Sequence, residues 1–246
     1  FSKINTTTLG LVDASGTADS LTVTLEGTTA HTAADNTVID LAFSNIETLN
    51  IVSSHTGTVA LTATDDNTIS DISSDVSLAT INVSGSDEVA LTVGSEATKL
   101  TALNAATLTA DSSLTIATGA VTVTGGTNDD VIVFGSSLNN LDSVDGGAHG
   151  TGATDGDIVT ATVTGLTATT GALTIANVEF INLTNAGTLV IDAAAITDSG
   201  EIAIITNTTS ATVTNLGAAA TVGLGQYDTD GDVDGTLTVS LADETG

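Results

Sequence analysis

Apolar and polar residues alternate along this chain in short runs that recur from one end to the other. Leu21–Leu25 reads LTVTL, and the same texture returns at Val38–Phe43, Ile46–Val52, Val59–Ala63, Leu78–Val83 and Val89–Val93. It continues at Leu114–Val123, Val131–Phe134, Ile158–Val163, Val178–Leu183, Leu189–Ile191, Ile202–Ile205 and Leu237–Leu241. Each run has the length of a strand, and the breaks contain Gly, Asn, Asp, Ser or Thr. Val, Ile and Thr dominate the runs, and their branched Cβ packs well on a pleated surface. No stretch shows a sustained helical stripe. Lys99–Ala110 (KLTALNAATLTA) comes nearest, and its threonines favour a strand or turn at least as well.

The runs are arranged in internal repeats. Asp19–Gly27 (DSLTVTLEG) matches Asp157–Gly165 (DIVTATVTG), Ser44–Val52 (SNIETLNIV) matches Ala176–Thr184 (ANVEFINLT), and Gly57–Ala63 (GTVALTA) matches Gly187–Ala193 (GTLVIDA). The offsets are 157 − 19 = 138, 176 − 44 = 132 and 187 − 57 = 130. A further echo joins the two ends: Asp13, Gly16 and Asp19 match Asp228, Gly231 and Asp234 at one offset, 228 − 13 = 215. The chain therefore reads as one elongated repeat unit. Its parts are a first block (1–94), a calcium-turn insertion (95–156), a second block (157–233) and the start of a next repeat (234–246). Short strands repeated with Gly-rich turns predict an all-β chain folded as a parallel β-solenoid, in which each coil buries its neighbour's face. The alternative is a row of tandem antiparallel β-sandwiches.

Composition sharpens this picture. Hydrophobic residues make up 41% of the 246, but aromatic residues only 2%, so the core must be built from small aliphatic side chains. There is no Pro and no Cys, so glycine, Asn and Asp carry the turns and no disulfide staples the fold. Thirty acids face two bases, Lys3 and Lys99, for a formal net charge of −28. Such a chain repels itself unless cations neutralise it, and it lacks the Lys and Arg that nucleic acid would require. No apolar run approaches the roughly 18 residues of a membrane span. The sequence starts at Phe1 without a leader, which suggests a processed product or a section of a longer chain.

The acids cluster at Gly-rich turns, and that placement suggests bound divalent cations. Gly125–Val133 (GGTNDDVIV) fits the calcium nonapeptide GGxGxDxUx. Gly125 and Gly126 open it, Asn128 stands for the third Gly as a residue tolerant of left-handed backbone, Asp130 is the acid after Asp129, and Ile132 is the apolar anchor. Gly146–Thr160 (GGAHGTGATDGDIVT) repeats the motif with an insertion, and Asp145, Asp155 and Asp157 lie in or beside it. One turn cannot supply the six to eight oxygens calcium takes, so a neighbouring coil must complete the shell. Asp230, Asp232, Asp234 and Gly235 form D-x-D-x-D-G, but Leu241 stands where an EF-hand needs a bidentate acid. Asp228 and Asp230–Asp234 at one end, and Asp13 with Asp19 at the other, are the remaining candidate ligands. Asp65–Asp66 and Asp87–Glu88 read as solvated turns.

Catalytic chemistry is harder to assemble. His31, His55 and His149 are isolated and read as loop residues rather than zinc ligands. Without Cys, a GxSxG turn or a basic cluster there is no nucleophile–base set. An acid pair could serve a glycosidase, but almost no aromatics are present to stack on a sugar ring. The expectation is a protein that is not an enzyme.

At the nonapeptide, the second Gly-Gly turn, and the segments NIETL (Asn45–Leu49) and NVEFI (Asn177–Ile181), the chain resembles a known group. These are the RTX-type β-solenoid S-layer proteins of Gram-negative bacteria, the Caulobacter type, and related repeat-rich surface proteins. The resemblance covers the whole chain in texture and only about 60 residues in motif. It implies a calcium-dependent right-handed β-solenoid, secreted by the type I route to the cell surface, which self-associates into a lattice or filament. Cell-surface polysaccharide is the other partner it suggests, and a repeat region of an RTX-type adhesin is the alternative role.

Overall fold

A computed structural model of the chain describes residues 2–4, 7–10, 16, 18–27, 36–38, 40–55, 67–73, 76–149, 156–168, 173–206, 210–216, 221–225 and 236–241. In chain order the strands begin with β1 (Ser2–Ile4), β2 (Thr7–Gly10), β3 (Ser20–Gly27), β4 (Asn36–Val38), β5 (Leu41–Ser44) and β6 (Thr48–His55). Then come β7 (Asn67–Ile72), β8 (Thr80–Gly85), β9 (Val89–Val93), β10 (Ala102–Leu108), β11 (Ser112–Ile116), β12 (Thr122–Thr124), β13 (Asp130–Gly135) and β14 (Ser143–Asp145). The later strands are β15 (Ile158–Val163), β16 (Thr167–Ala168), β17 (Thr174–Ala176), β18 (Phe180–Asn185), β19 (Leu189–Asp192) and β20 (Ile196–Thr197). The last are β21 (Glu201–Thr206), β22 (Ala211–Leu216), β23 (Thr221–Gly225) and β24 (Leu237–Leu241).

Every pairing among these strands is parallel. They form a ten-stranded ladder, β1-β4-β7-β9-β11-β13-β15-β18-β21-β23, and an eight-stranded one, β20-β17-β14-β12-β10-β8-β6-β3. A shorter ladder, β16-β19-β22-β24, and the pair β2-β5 make a third wall towards the two ends. The chain visits the long ladders in turn and advances one strand per visit, so the fold is a parallel β-solenoid. This excludes antiparallel sandwiches. Where the coils are regular they are short: Val89 lies beside Ser112, Ser112 beside Asp130 and Ile158 beside Phe180, steps of 112 − 89 = 23, 130 − 112 = 18 and 180 − 158 = 22 residues. Residues 95–149 place β10 to β14 on the same two ladders as their neighbours.

The alternation seen in the sequence becomes inside and outside. In β9, Val89, Leu91 and Val93 are buried while Ala90 and Thr92 are not. Register then stacks like on like. Ile69, Leu91, Leu114, Ile132, Val159, Ile181 and Ile202 form one interior column on the long ladder, each at most 1% exposed. Leu49, Ile81, Leu103, Val123, Val144 and Ile175 form the facing column on the other. Each such side chain contributes roughly 1.5–3 kcal/mol by leaving water, so a long narrow core of small aliphatic side chains, with Phe43 and Phe134 as its buried aromatics among the described residues, holds together. Lys99–Ala110, ambiguous in sequence, supplies strand β10.

Candidate functional site

Acids concentrate where the chain enters the long ladders, and the nonapeptide shows what they do there. Gly125 and Gly126 follow β12 at a corner, and Asp130 opens β13. A Cβ on Gly125 would lie 1.9 Å from the Gly146 carbonyl oxygen of the next coil, so only glycine allows that approach. Asp130 is fully buried. Its Oδ1 accepts from the Ser112 hydroxyl at 2.7 Å and its Oδ2 from the Gly126 backbone N–H. Burial pushes its carboxyl above the usual range, opposed by those same hydrogen bonds. Asp130 is thus a strap whose two oxygens each accept a hydrogen bond from the protein. Asn128 is not left-handed, although the sequence reading asks it to be; its side chain donates to the Thr109 carbonyl instead.

The second Gly-Gly turn packs on Asp157 as the first packs on Asp130. A Cβ on Gly125 would stand 2.7 Å from Asp130 Oδ2, and one on Gly146 would stand 2.6 Å from Asp157 Oδ2. The two turns then diverge. The Gly147 N–H, from a residue with φ of +101°, points to Asp145 Oδ1 at 3.1 Å. Asp157 Oδ2 therefore receives no donor, although Asp157 is fully buried. Its Oδ1 accepts from the Asp130 N–H at 2.7 Å, and its own N–H donates to Glu179 Oε2 at 2.7 Å. Burial pushes the Asp157 carboxyl up to about 7; the charges of Asp130, Glu179 and Asp129 add to the rise, and the Asp130 N–H opposes it. Glu179 Oε1 lies 3.5 Å from His149 Nε2. Asp145 also accepts from the Asn177 side chain at 2.8 Å, so it fastens a corner.

Asp19 repeats this arrangement on the other long ladder. Its N–H donates to Glu47 Oε2 at 2.8 Å, and its Oδ2 is buried without a partner. Neither Glu47 nor Glu179 belongs to the ligand set expected from sequence, although NIETL and NVEFI contain them. Asp142 is a further buried acid outside that set: its oxygens accept from the Val121 and Asn139 N–H groups at 2.8 and 2.7 Å. Burial raises its carboxyl too. Asp87, expected in a solvated turn, is fully buried and accepts from the Asn67 side chain at 3.1 Å. It is buried because it sits at a joint between coils. His55 closes strand β6 rather than lying in a loop. Asp13, Asp155, Asp228, Asp230, Asp232 and Asp234 lie outside the described residues.

The arrangement fits a hard cation at two places and not at a third. Among the described residues no three His, Cys, Asp or Glu side chains form a ready cluster. Both Asp130 oxygens already accept a protein hydrogen bond. Asp157 and Asp19 each offer a buried oxygen with no donor, beside a glutamate, and calcium accepts carbonyl and water oxygens to complete a shell begun by carboxylates. A groove of about 330 Å³ lined by Leu138, Asn139, Thr164 and Leu166, among others, holds no titratable side chain. Among the described residues no helix is long and apolar enough to cross a membrane. No family model, curated protein or solved structure matches the chain.

Proposed function

We propose that this chain is a non-enzymatic, extracellular structural protein, a calcium-stabilised repeat unit of a self-assembling surface layer or filament. The observation that supports it is where the acids sit. Asp19, Asp130 and Asp157 each join one coil to the next through backbone N–H groups. Neutralising such acids therefore acts on coil stacking itself. In the cation-free chain, buried carboxylates and a net charge of −28 oppose that stacking. Calcium removes the opposition, and its binding free energy becomes folding free energy. The outermost strands of the ladders then offer parallel edges to a further repeat or a second copy. Strand β24 is such an edge, with Val239 41% and Leu241 73% exposed.

The test is thermal melting and electron microscopy of the chain with calcium and with excess chelator. The expected result is a markedly lower melting temperature in chelator and dispersal of any assembly. Identical melting curves would overturn the calcium mechanism, and dispersed particles under both conditions would overturn the assembly.

A further inference from the structure

We infer that the divalent-cation sites are two Asp–Glu brackets built across neighbouring coils, Asp19 with Glu47 and Asp157 with Glu179, and not the glycine–acid turn around Asp130. The inference rests on the cation reading above and names the residues responsible for it. The brackets are built alike. Asp19 precedes β3 and Glu47 precedes β6, its partner in the ladder. Asp157 precedes β15 and Glu179 precedes β18, again its partner. In each, the Asp N–H donates to Glu Oε2, at 2.8 and 2.7 Å. In each, the Asp carbonyl accepts from the first residue of the partner strand, Thr48 or Phe180, at 3.0 Å. A left-handed Asn stands two residues before each Glu, Asn45 with φ of 57° and Asn177 with φ of 52°.

The same atom is left over in both brackets. Asp19 Oδ2 and Asp157 Oδ2 are buried and have no hydrogen-bond partner. A buried carboxylate oxygen without a donor is costly, and the cost is incurred twice at matched positions. Each orphan also faces a glycine. A Cβ on Gly16 would come within 2.5 Å of Asp19 Oδ2, and one on Gly146 within 2.6 Å of Asp157 Oδ2. Any other residue at either place would fill the space against the oxygen. The chain has only two Lys and Arg to set against 30 acids, and His149 faces Glu179 Oε1 at 3.5 Å while Asp157 Oδ2 stays without a partner, so the charge that answers the two orphan oxygens is assigned to solution. Hard carboxylate oxygens suit calcium, which takes carbonyl and water oxygens to complete its shell. Asp130 differs in having both oxygens occupied by Ser112 and Gly126.

The experiment titrates calcium chloride into the chelator-stripped chain by calorimetry and compares Glu47→Gln, Glu179→Gln, the double variant and Asp130→Asn. A glutamine oxygen still accepts the Asp N–H, so the joint is kept while a charge is lost. Each bracket variant is expected to weaken its own calcium equivalent by about tenfold or more, the double variant both, and Asp130→Asn neither. Calcium uptake unchanged in the double variant would overturn the brackets while leaving the cation reading intact. No uptake by the unaltered chain would overturn both. Should a variant lose its fold by circular dichroism, substoichiometric Mn²⁺ added to the unaltered chain decides by amide line broadening. Broadening is expected first at Asp19 and Glu47 and, on the other wall, at Asp157, Glu179 and the Asp130 amide that touches Asp157; broadening confined to Gly125–Asp130, with Asp19, Glu47 and Glu179 unaffected, would overturn the assignment.

Discussion

The Asp130 and Asp157 turns are adjacent copies of one design, and a single peptide separates their chemistry. In both, a glycine pair closes against a buried Asp at the mouth of a strand. At Asp130 the second glycine turns its N–H inward and the carboxylate is satisfied. At Asp157 the second glycine turns its N–H outward to Asp145, and one oxygen is left alone. The first turn is complete as protein. The second leaves one oxygen without a partner, and its carboxyl is pushed up to about 7. Matching a sequence motif therefore does not locate the copy with the unsatisfied oxygen; the direction of one N–H does.

What the copies share should break most severely. Gly125→Ala drives a Cβ into the Gly146 carbonyl, and Gly146→Ala drives one into the Asn177 carbonyl, each at 1.9 Å. Both variants should lose more than about 4 kcal/mol or fail to fold, as judged by denaturant titration. Equal tolerance of alanine at both corners would show that the coils do not approach so closely. What separates the copies should appear next. Asp130→Ala strands the Ser112 hydroxyl and the Gly126 N–H, and should cost about 3 kcal/mol with or without calcium. Asp157→Asn should instead raise the melting temperature in chelator, because it removes a buried charge lacking a partner, and lower it in calcium. The same sign in both media would erase the distinction between the turns.

The pH dependence follows from the same contrast. The Asp157 carboxyl titrates near 7 when folded and near about 3.9 when unfolded. Between those values the folded chain holds a proton that the unfolded chain has lost. Stability from this group is thus full below about pH 4 and falls as pH rises to about 7. Asp130, Asp142 and Asp71 are shifted the same way by burial. In chelator the chain should melt higher at pH 5 than at pH 8, and Asp157→Asn should shrink the difference. The smallest effect expected is that of Ser112→Ala, about 1 kcal/mol, which loosens only one of the two bonds holding Asp130.

The parts of the fold readable in advance are those set by neighbours in sequence. Alternation marked most strands, and Leu237–Leu241 coincides with β24. Several strands fall outside the alternating runs, among them β14, β17, β23, β7 and β22; in the last two, NTISDI and ATVTNL interleave Thr, Asn and Asp with their apolar residues, and burial between coils overrides that polarity. Both glycine pairs were legible, because a local turn needs them. The partner glutamates were not. Glu47 meets Asp19 across 28 residues and Glu179 meets Asp157 across 22, distances set by coil length rather than by any local spacing. Asp87 escaped for the same reason, since its burial depends on Asn67 of the preceding coil.

The repeat in the sequence returns on a different wall. Asp19 opens β3 on the eight-stranded ladder, whereas its counterpart Asp157 opens β15 on the ten-stranded one. The sequence period and the winding of the coil are thus out of phase. A staple on one wall resists opening towards that wall and leaves the others free to act as a hinge. With the staples at two angular positions and two heights, a stripped chain has no single plane in which to bend. On the calcium reading proposed above, the slackening expected on stripping is a twist, and bound calcium would set the torsional stiffness of the column.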